Sequence, residues 1–267
     1  MVRIALAALI ATVSVATARA APAGSGVIRG TVSFDGPAPE RIKLHRESDP
    51  YCAKTEMLAD DVIVTAGKLK DVLVRIKRGG AAGASGKAAA GGAAKAAAAS
   101  DSAAPGAAPA AVPPAVVDQQ DCSYRPHVLG IAPGQKLVVR NGDTTFHNVR
   151  GMIGTAQIWN KPASPGDPEL TLDGSPRAGD VIDVLCDVHP WMHAYAVVVD
   201  HPAFAVTGED GAFELTGLAP GTYTVEAWHP VFGARSVTVK LGKGAKATAT
   251  AAFAFKPGDA RPPAPPP

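Results

Sequence analysis

Residues 185–195 read Leu185-Cys186-Asp187-Val188-His189-Pro190-Trp191-Met192-His193-Ala194-Tyr195, or LCDVHPWMHAY. A thiol, an imidazole and a thioether stand together at Cys-x2-His-x2-Met spacing, and each is a metal donor. Residues 181–186 alternate so that Ile182, Val184 and Cys186 share one face of a strand. Residues 194–199 form a second apolar run of strand-forming residues. The donors therefore occupy a short loop between two strands.

A donor set confined to one loop is incomplete. Copper in an electron-transfer site takes two imidazoles, one thiolate and a weak axial thioether. The missing imidazole should come from another strand. His147, in Asn141-Gly142-Asp143-Thr144-Thr145-Phe146-His147-Asn148-Val149, follows the strand Leu137-Val138-Val139-Arg140 and an Asn-Gly-Asp turn. Two other readings stand beside copper. One is a His2Cys zinc site, which a nearby thioether disfavours. The other is a buried free cysteine next to an exposed loop.

GQKLVVRNGDTTFHNV (residues 134–149) followed by CDVHPWM (residues 186–192) resembles the cupredoxins, the small blue copper proteins, in their amicyanin- and plastocyanin-like forms. Tyr124-Arg125-Pro126 ahead of the first segment resembles that family's aromatic-x-Pro. The likeness covers residues 115–200. It implies a Greek-key β-sandwich holding one type 1 copper. His147, Cys186 and His189 would be the strong ligands and Met192 the weak axial one. Asn148 would bond across to the ligand loop. His189 would reach the surface through an apolar patch that Pro190 and Trp191 could supply and where a redox partner would dock; the alternative is that Trp191 packs inward under the loop.

Residues 1–20, MVRIALAALIATVSVATARA, read as a secretory signal peptide with Arg3 at its start and a small-x-small site at Ala18-Arg19-Ala20. The run is short and Ala/Thr-rich for a transmembrane helix, and no later stretch suits one. The expectation is a periplasmic or secreted chain that does not span the membrane. Without Arg3 and Arg19, basic and acidic residues balance at 24 each, so no basic field points to nucleic acid. Cysteines of exported proteins tend to pair. The chain has 3, namely Cys52, Cys122 and Cys186. If Cys52 pairs with Cys122, the thiol left over is the one in the ligand loop.

The remaining segments point to a second β-sandwich. AVTGEDGAFELTGLAPGTYTVEAWHP carries Thr207, Asp210, Gly211 and Phe213, then Pro220, Gly221 and Tyr223. This resembles the carboxypeptidase regulatory-like, or prealbumin-like, sandwich, whose opening Gly-x-Ile/Val-x-Gly-x-Val strand resembles Gly26-Val27-Ile28-Arg29-Gly30-Thr31-Val32. The expected organisation is all-β: a prealbumin-like sandwich in two parts, residues 26–78 and 201–255, with the cupredoxin domain of residues 115–200 inserted; the alternative is two consecutive domains with the N-terminal strands added to the cupredoxin sheet. Residues 79–114, rich in Ala and Gly, read as a disordered linker with a short helix over 93–99 as the alternative. Residues 256–267 read as a proline-rich tail.

These patterns narrow the function. There is no nucleophile–base arrangement, phosphate loop or His-x-His pair for further coppers, so an enzyme is not expected. A one-electron carrier is, its partner another exported redox protein such as a c-type cytochrome or a dehydrogenase. The rival is a cell-envelope structural or ligand-binding module whose cupredoxin domain is non-redox or handles copper. Of the other histidines, His193 is expected to face solvent, His127 to pack, and His201 and His229, each before proline, to serve turns.

Overall fold

A computed structural model describes residues 26–77, 113–174, 176–244 and 247–260. The signal peptide, nearly all of the Ala/Gly-rich stretch and the end of the proline-rich tail lie outside the described residues. Those described are all-β, with no α-helix among them. None of their helices is long and apolar enough to cross a membrane.

Four sheets form two packed pairs. The first sheet holds β1 (Gly26–Phe34), β2 (Val64–Thr65), β3 (Lys68–Leu69), β15 (Ala212–Leu218) and β18 (Thr248–Phe255). β18 runs parallel to β1 from Val27↔Thr248 to Phe34↔Phe255, and β15 pairs antiparallel with β1. The second sheet has the order β14 (Phe204–Val206), β4 (Leu73–Ile76), β16 (Gly221–His229), β17 (Gly233–Leu241). Between them lies a core of Ile28, Val32, Phe34, Val74, Ile76, Leu215, Val225, Leu241, Phe253 and Phe255. β1 thus pairs with β3 and with two strands from the far end of the chain, and with none from residues 115–198 among the described residues. The Asp210-Gly211 turn carries the chain from β14 in one sheet to β15 in the other. Gly211 sits at φ +65°, where a Cβ would also strike the Val32 carbonyl.

The third sheet has the order β10 (Ala156–Ala163), β9 (His147–Ile153), β12 (Val181–Leu185), β13 (His193–Val198), β7 (Val128–Ile131). The fourth has β11 (Leu170–Leu172), β8 (Leu137–Asn141), β5 (Ala115–Gln119), β6 (Tyr124–Arg125). They enclose a second core that includes Val117, Leu137, Val139, Val149, Ile182, Val184, Cys186, Met192, Ala194 and Ala196.

The two pairs meet along β13. Its Ala194, Ala196 and Val198 enter the second core, while Val197 and the following Val199 meet Leu73 and Val128 in a third cluster that also takes in Tyr195, Phe204 and Trp228. A strand buried on both faces reads as an unbroken apolar run, which is why residues 194–199 lack polar alternation. At this junction Gly130 lies under the Phe204 ring, leaving no room for a Cβ. Arg75 crosses it as well: it is held by Glu226, with Nη2–Oε1 at 2.8 Å, and lies 3.4 Å from the Val198 carbonyl.

Residues 44–59 differ from their expected place within a first sandwich. Tyr51 and Cys52 pack on the second core, and Cys52 is joined to Cys122 by a disulfide. This segment is a strap across the ligand end of the third and fourth sheets.

Candidate metal centre

Strand register brings the donors together. β9 and β12 are antiparallel neighbours with Leu185 opposite Arg150, so the first residue of β9, His147, lies beside the loop that leaves β12. Asn148 holds that loop. Its Oδ1 accepts the Asp187 N–H at 2.6 Å and its Nδ2 donates to the Asp187 carboxylate at 2.7 Å. The Tyr124 hydroxyl lies 2.9 Å from the Asn148 carbonyl and 3.0 Å from the Leu185 carbonyl, tying both ligand strands to β6. The loop closes on itself, with the Met192 N–H donating to the His189 carbonyl at 2.8 Å and the Cys186 N–H to the Met192 carbonyl at 3.3 Å.

Within this frame His147, Cys186, His189 and Met192 are all buried, none more than 3% exposed. The donor atoms of His147, Cys186 and His189 lie within 4.8 Å of one another. Nδ1 of His147 is 2.9 Å from Nδ1 of His189, and Sγ of Cys186 is 3.9 Å from the latter. Met192 is buried on the same loop. The far nitrogens are already used: Nε2 of His147 faces Asp143 Oδ2 at 2.9 Å, and Nε2 of His189 faces Asp49 Oδ2 at 3.0 Å. Only the two Nδ1 atoms are left to point inward.

The protonation pattern follows. Burial opposes ionisation of Asp143, but His147, the Cys122 and Asp121 N–H groups and the Tyr51 hydroxyl hold it down at about 2. Burial likewise opposes Asp49, which Thr145, the Tyr51 N–H, His189 and the Cys52 N–H hold at about 2. Burial would lower His147, but Asp143 and Cys186 lift it to about 9. Burial would raise the Cys186 thiol, yet His147 and the N–H groups of Asn148, His189 and Val188 bring it below its ordinary value. Burial lowers His189. The surroundings thus favour the charged forms of His147 and Cys186 and the neutral form of His189.

The donor set fits a first-row ion. Two nitrogens each about 2.0 Å from one tetrahedral ion stand about 3.3 Å apart, somewhat wider than the 2.9 Å found here. Two imidazoles, one thiolate and a thioether on the ligand loop are the chemistry that copper prefers. Two other groups of donors adjoin the centre, Asp49 with Cys52 and His189, and Cys122 with Asp143 and His147. Their sulfurs are locked in the disulfide.

The expected surface edge at His189 is not found. His189 is 1% exposed, because Asp49 and Cys52 of the strap lie over its Nε2. Trp191 is half-buried on the second core and donates its indole N–H to the Cys122 carbonyl at 3.0 Å. Pro190 is exposed. The large apolar side chains that do face solvent here are Phe146 at 43% and Val188 at 46%, next in chain to His147 and His189. His193 does not face solvent. Its ring lies 4.5 Å from that of Tyr195, and burial lowers it to about 4. His201 and His229 serve turns, each Nδ1 accepting the N–H two residues on.

Asp49, Tyr51 and Asp143 carry no motif and escape a reading by donor spacing. The available signals were weak: Asp143 stands four positions before His147, and Asp49 lies close to Cys52.

No protein-family model matches the sequence, and none of the curated proteins matches it. Among solved structures, the chain is similar to a purple cupredoxin from Nitrosopumilus maritimus at 24% identity and TM-score 0.28, over 32% of this chain and 98% of that one. It is similar to a copper-containing nitrite reductase from Thermus scotoductus at 19% identity and TM-score 0.29, over 33% of this chain and 23% of that one. An amicyanin mutant in its Cu(I) form matches at 22% identity and TM-score 0.25, over 32% of this chain and 81% of that one. These structural neighbours are cupredoxins, and the likeness extends over about a third of the chain.

Proposed function

We propose that the chain is an exported type 1 copper protein that carries one electron at a time. His147, Cys186 and His189 would be the strong ligands and Met192 the weak axial one. One observation carries this reading: two Nδ1 atoms and the Cys186 sulfur converge at a buried point, with the Nε2 of each imidazole already hydrogen-bonded. A copper ion held there would supply a reversible one-electron couple. The chain's own residues do the rest. Carboxylates orient the imidazoles, N–H groups of the loop stabilise the thiolate, and Asn148 fixes the loop against β9. Burial keeps water from the donors.

A carrier is favoured over an enzyme because the donors here suffice for one ion. The adjoining donor groups depend on sulfurs of the disulfide. We assign residues 115–200 to a cupredoxin domain inserted between the parts of a carboxypeptidase regulatory-like sandwich. The support is the pairing of β1 with β15 and β18. The electron partner would be another exported redox protein, such as a c-type cytochrome or a dehydrogenase. A second reading, a copper-holding protein that exchanges no electrons, draws on the burial of His189 under the strap.

The test is to add Cu(II) to the purified protein and record visible and electron paramagnetic resonance spectra. Intense blue absorption with narrow copper hyperfine splitting, lost in Cys186→Ser, is expected. Their absence overturns the type 1 assignment. A blue protein that cannot be cycled between oxidation states overturns the carrier and leaves the holding role.

A further inference from the structure

Behind each ligand imidazole stands one carboxylate, and each carboxylate is fully engaged. Asp143 Oδ1 accepts from the Asp121 N–H at 2.7 Å and the Tyr51 hydroxyl at 3.0 Å. Its Oδ2 accepts from the Cys122 N–H at 2.8 Å and from His147 at 2.9 Å. Asp49 repeats the pattern. Its Oδ1 takes the N–H groups of Tyr51 and Cys52 at 2.7 and 3.3 Å. Its Oδ2 takes the Thr145 hydroxyl at 2.7 Å and His189 at 3.0 Å. Tyr51 bridges the two, with its N–H on Asp49 and its hydroxyl on Asp143.

Backbone strain is spent on this arrangement. Asp121 and Cys122 both hold left-handed φ, at 54° and 53°, so that successive N–H groups converge on Asp143. Neither is glycine, so both residues stand outside the backbone regions that L-residues favour. Paired N–H groups of this kind form an anion cradle. Asp49 comes from the strap, 140 residues before His189. The disulfide ties it there through the residue pair whose N–H groups hold the carboxylates.

We propose that Asp49 and Asp143 are positioning residues of the metal centre, locking His189 and His147 with Nδ1 turned inward and holding a bound copper at a low reduction potential. The proposal rests on the copper reading above. An acceptor at Nε2 fixes the proton there and leaves Nδ1 as the ligating atom, while its charge strengthens the donor. Charge balance sets the direction of the potential. The shell holds the Cys186 sulfur, which binds a metal as thiolate, the buried Asp143 carboxylate, the part-buried Asp49 carboxylate and one buried cation, Arg46, whose guanidinium is 6.0 Å from the Trp191 ring. A divalent ion makes that shell neutral. A monovalent ion leaves one negative charge buried, which a low dielectric penalises. The oxidised state is therefore favoured.

The experiment uses the full mature chain in two forms. In metal-free protein labelled with nitrogen-15, His189 is expected as the Nε2–H tautomer with a slowly exchanging proton, and Asp49→Ala should speed that exchange. An Nδ1–H tautomer in the wild type overturns the positioning role whether or not copper binds. In Cu(II)-loaded protein, Asp49→Asn should shift the Cu(II)/Cu(I) ratio at a fixed ambient potential at least tenfold toward Cu(I), a rise of about 59 mV for one electron. Arg46→Gln should shift it the opposite way, and Asp60→Asn, a carboxylate remote from the centre, should not shift it. Loosened structure alone does not produce opposite signs from the two substitutions. Copper-loaded variants with unchanged potentials overturn the tuning and leave the redox reading intact. A wild-type chain that takes up no copper overturns the redox reading and the tuning with it.

Discussion

Nδ1 of His147 lies 2.9 Å from Nδ1 of His189, and both rings are buried. Two lone pairs cannot face each other at that distance, so a proton or a metal ion must lie between them. A metal ion that binds the folded chain and not the unfolded one raises stability by about 2.7 kcal/mol at a hundredfold excess over Kd. Thermal unfolding with Cu(II), and with Zn(II) as a redox-silent probe, should therefore move to higher temperature. Cys186→Ser should lose most of that shift.

Asn148 bonds to both the N–H and the carboxylate of Asp187 and also to Asn160. Asn148→Ala leaves the Asp187 N–H without its acceptor and frees the ligand loop. Metal affinity is expected to fall about 10–100-fold. Competition against a chelator of known affinity measures it.

The disulfide joins residues 70 apart in sequence. Loss of a native disulfide costs about 2–5 kcal/mol. Here it also frees the strap that bears Asp49. The Cys52→Ser, Cys122→Ser double variant should melt earlier and expose His189 to solvent. Calorimetry and the rate of His189 modification by diethyl pyrocarbonate check the two effects separately.

The Arg75–Glu226 pair at the junction is asymmetric. Lys77 also reaches Glu226, at 3.2 Å, so Arg75→Ala leaves that carboxylate a cation. Glu226→Ala leaves the buried Arg75 with the Val198 carbonyl at 3.4 Å. An uncompensated buried charge costs about 3–5 kcal/mol. Denaturant unfolding should show Glu226→Ala as the more destabilising of the two.

His229 supplies a pH dependence remote from the metal centre. Burial lowers it to about 3, so the folded chain keeps it neutral. The unfolded chain takes up a proton below the ordinary value near 6.5. Stability from this residue is complete above about pH 6.5 and is lost as the pH falls toward about 3, on the order of 3–5 kcal/mol in all. His229→Asn, which keeps an acceptor for the Val231 N–H, should flatten the unfolding free energy between pH 6.5 and 4.

Much of the chemistry is visible in one dimension because it rests on residue type and short spacing. Cys186, His189 and Met192 share a seven-residue loop, and the alternation of Ile182, Val184 and Cys186 assigns the thiol to a buried face. The all-β character is legible for the same reason, since strand patterning is local. His147 needed more, namely the expectation that one donor of a copper set comes from a second strand.

Other features depend on contacts between distant segments. Residues 194–199 read only as apolar, yet the strand is divided between two cores because Leu73, Phe204 and Trp228 cover its outer face. Pro190 and Trp191 looked like a surface patch around His189. Asp49, arriving from a strap tied down by the disulfide, buries that imidazole instead. The sequence determined which atoms can hold a metal, because donor chemistry belongs to the side chain. The tertiary structure decided how those atoms are charged, aimed and covered. Charge, aim and cover depend on neighbours such as Asp49 and Asp143, which become neighbours of the imidazoles only when the chain is folded.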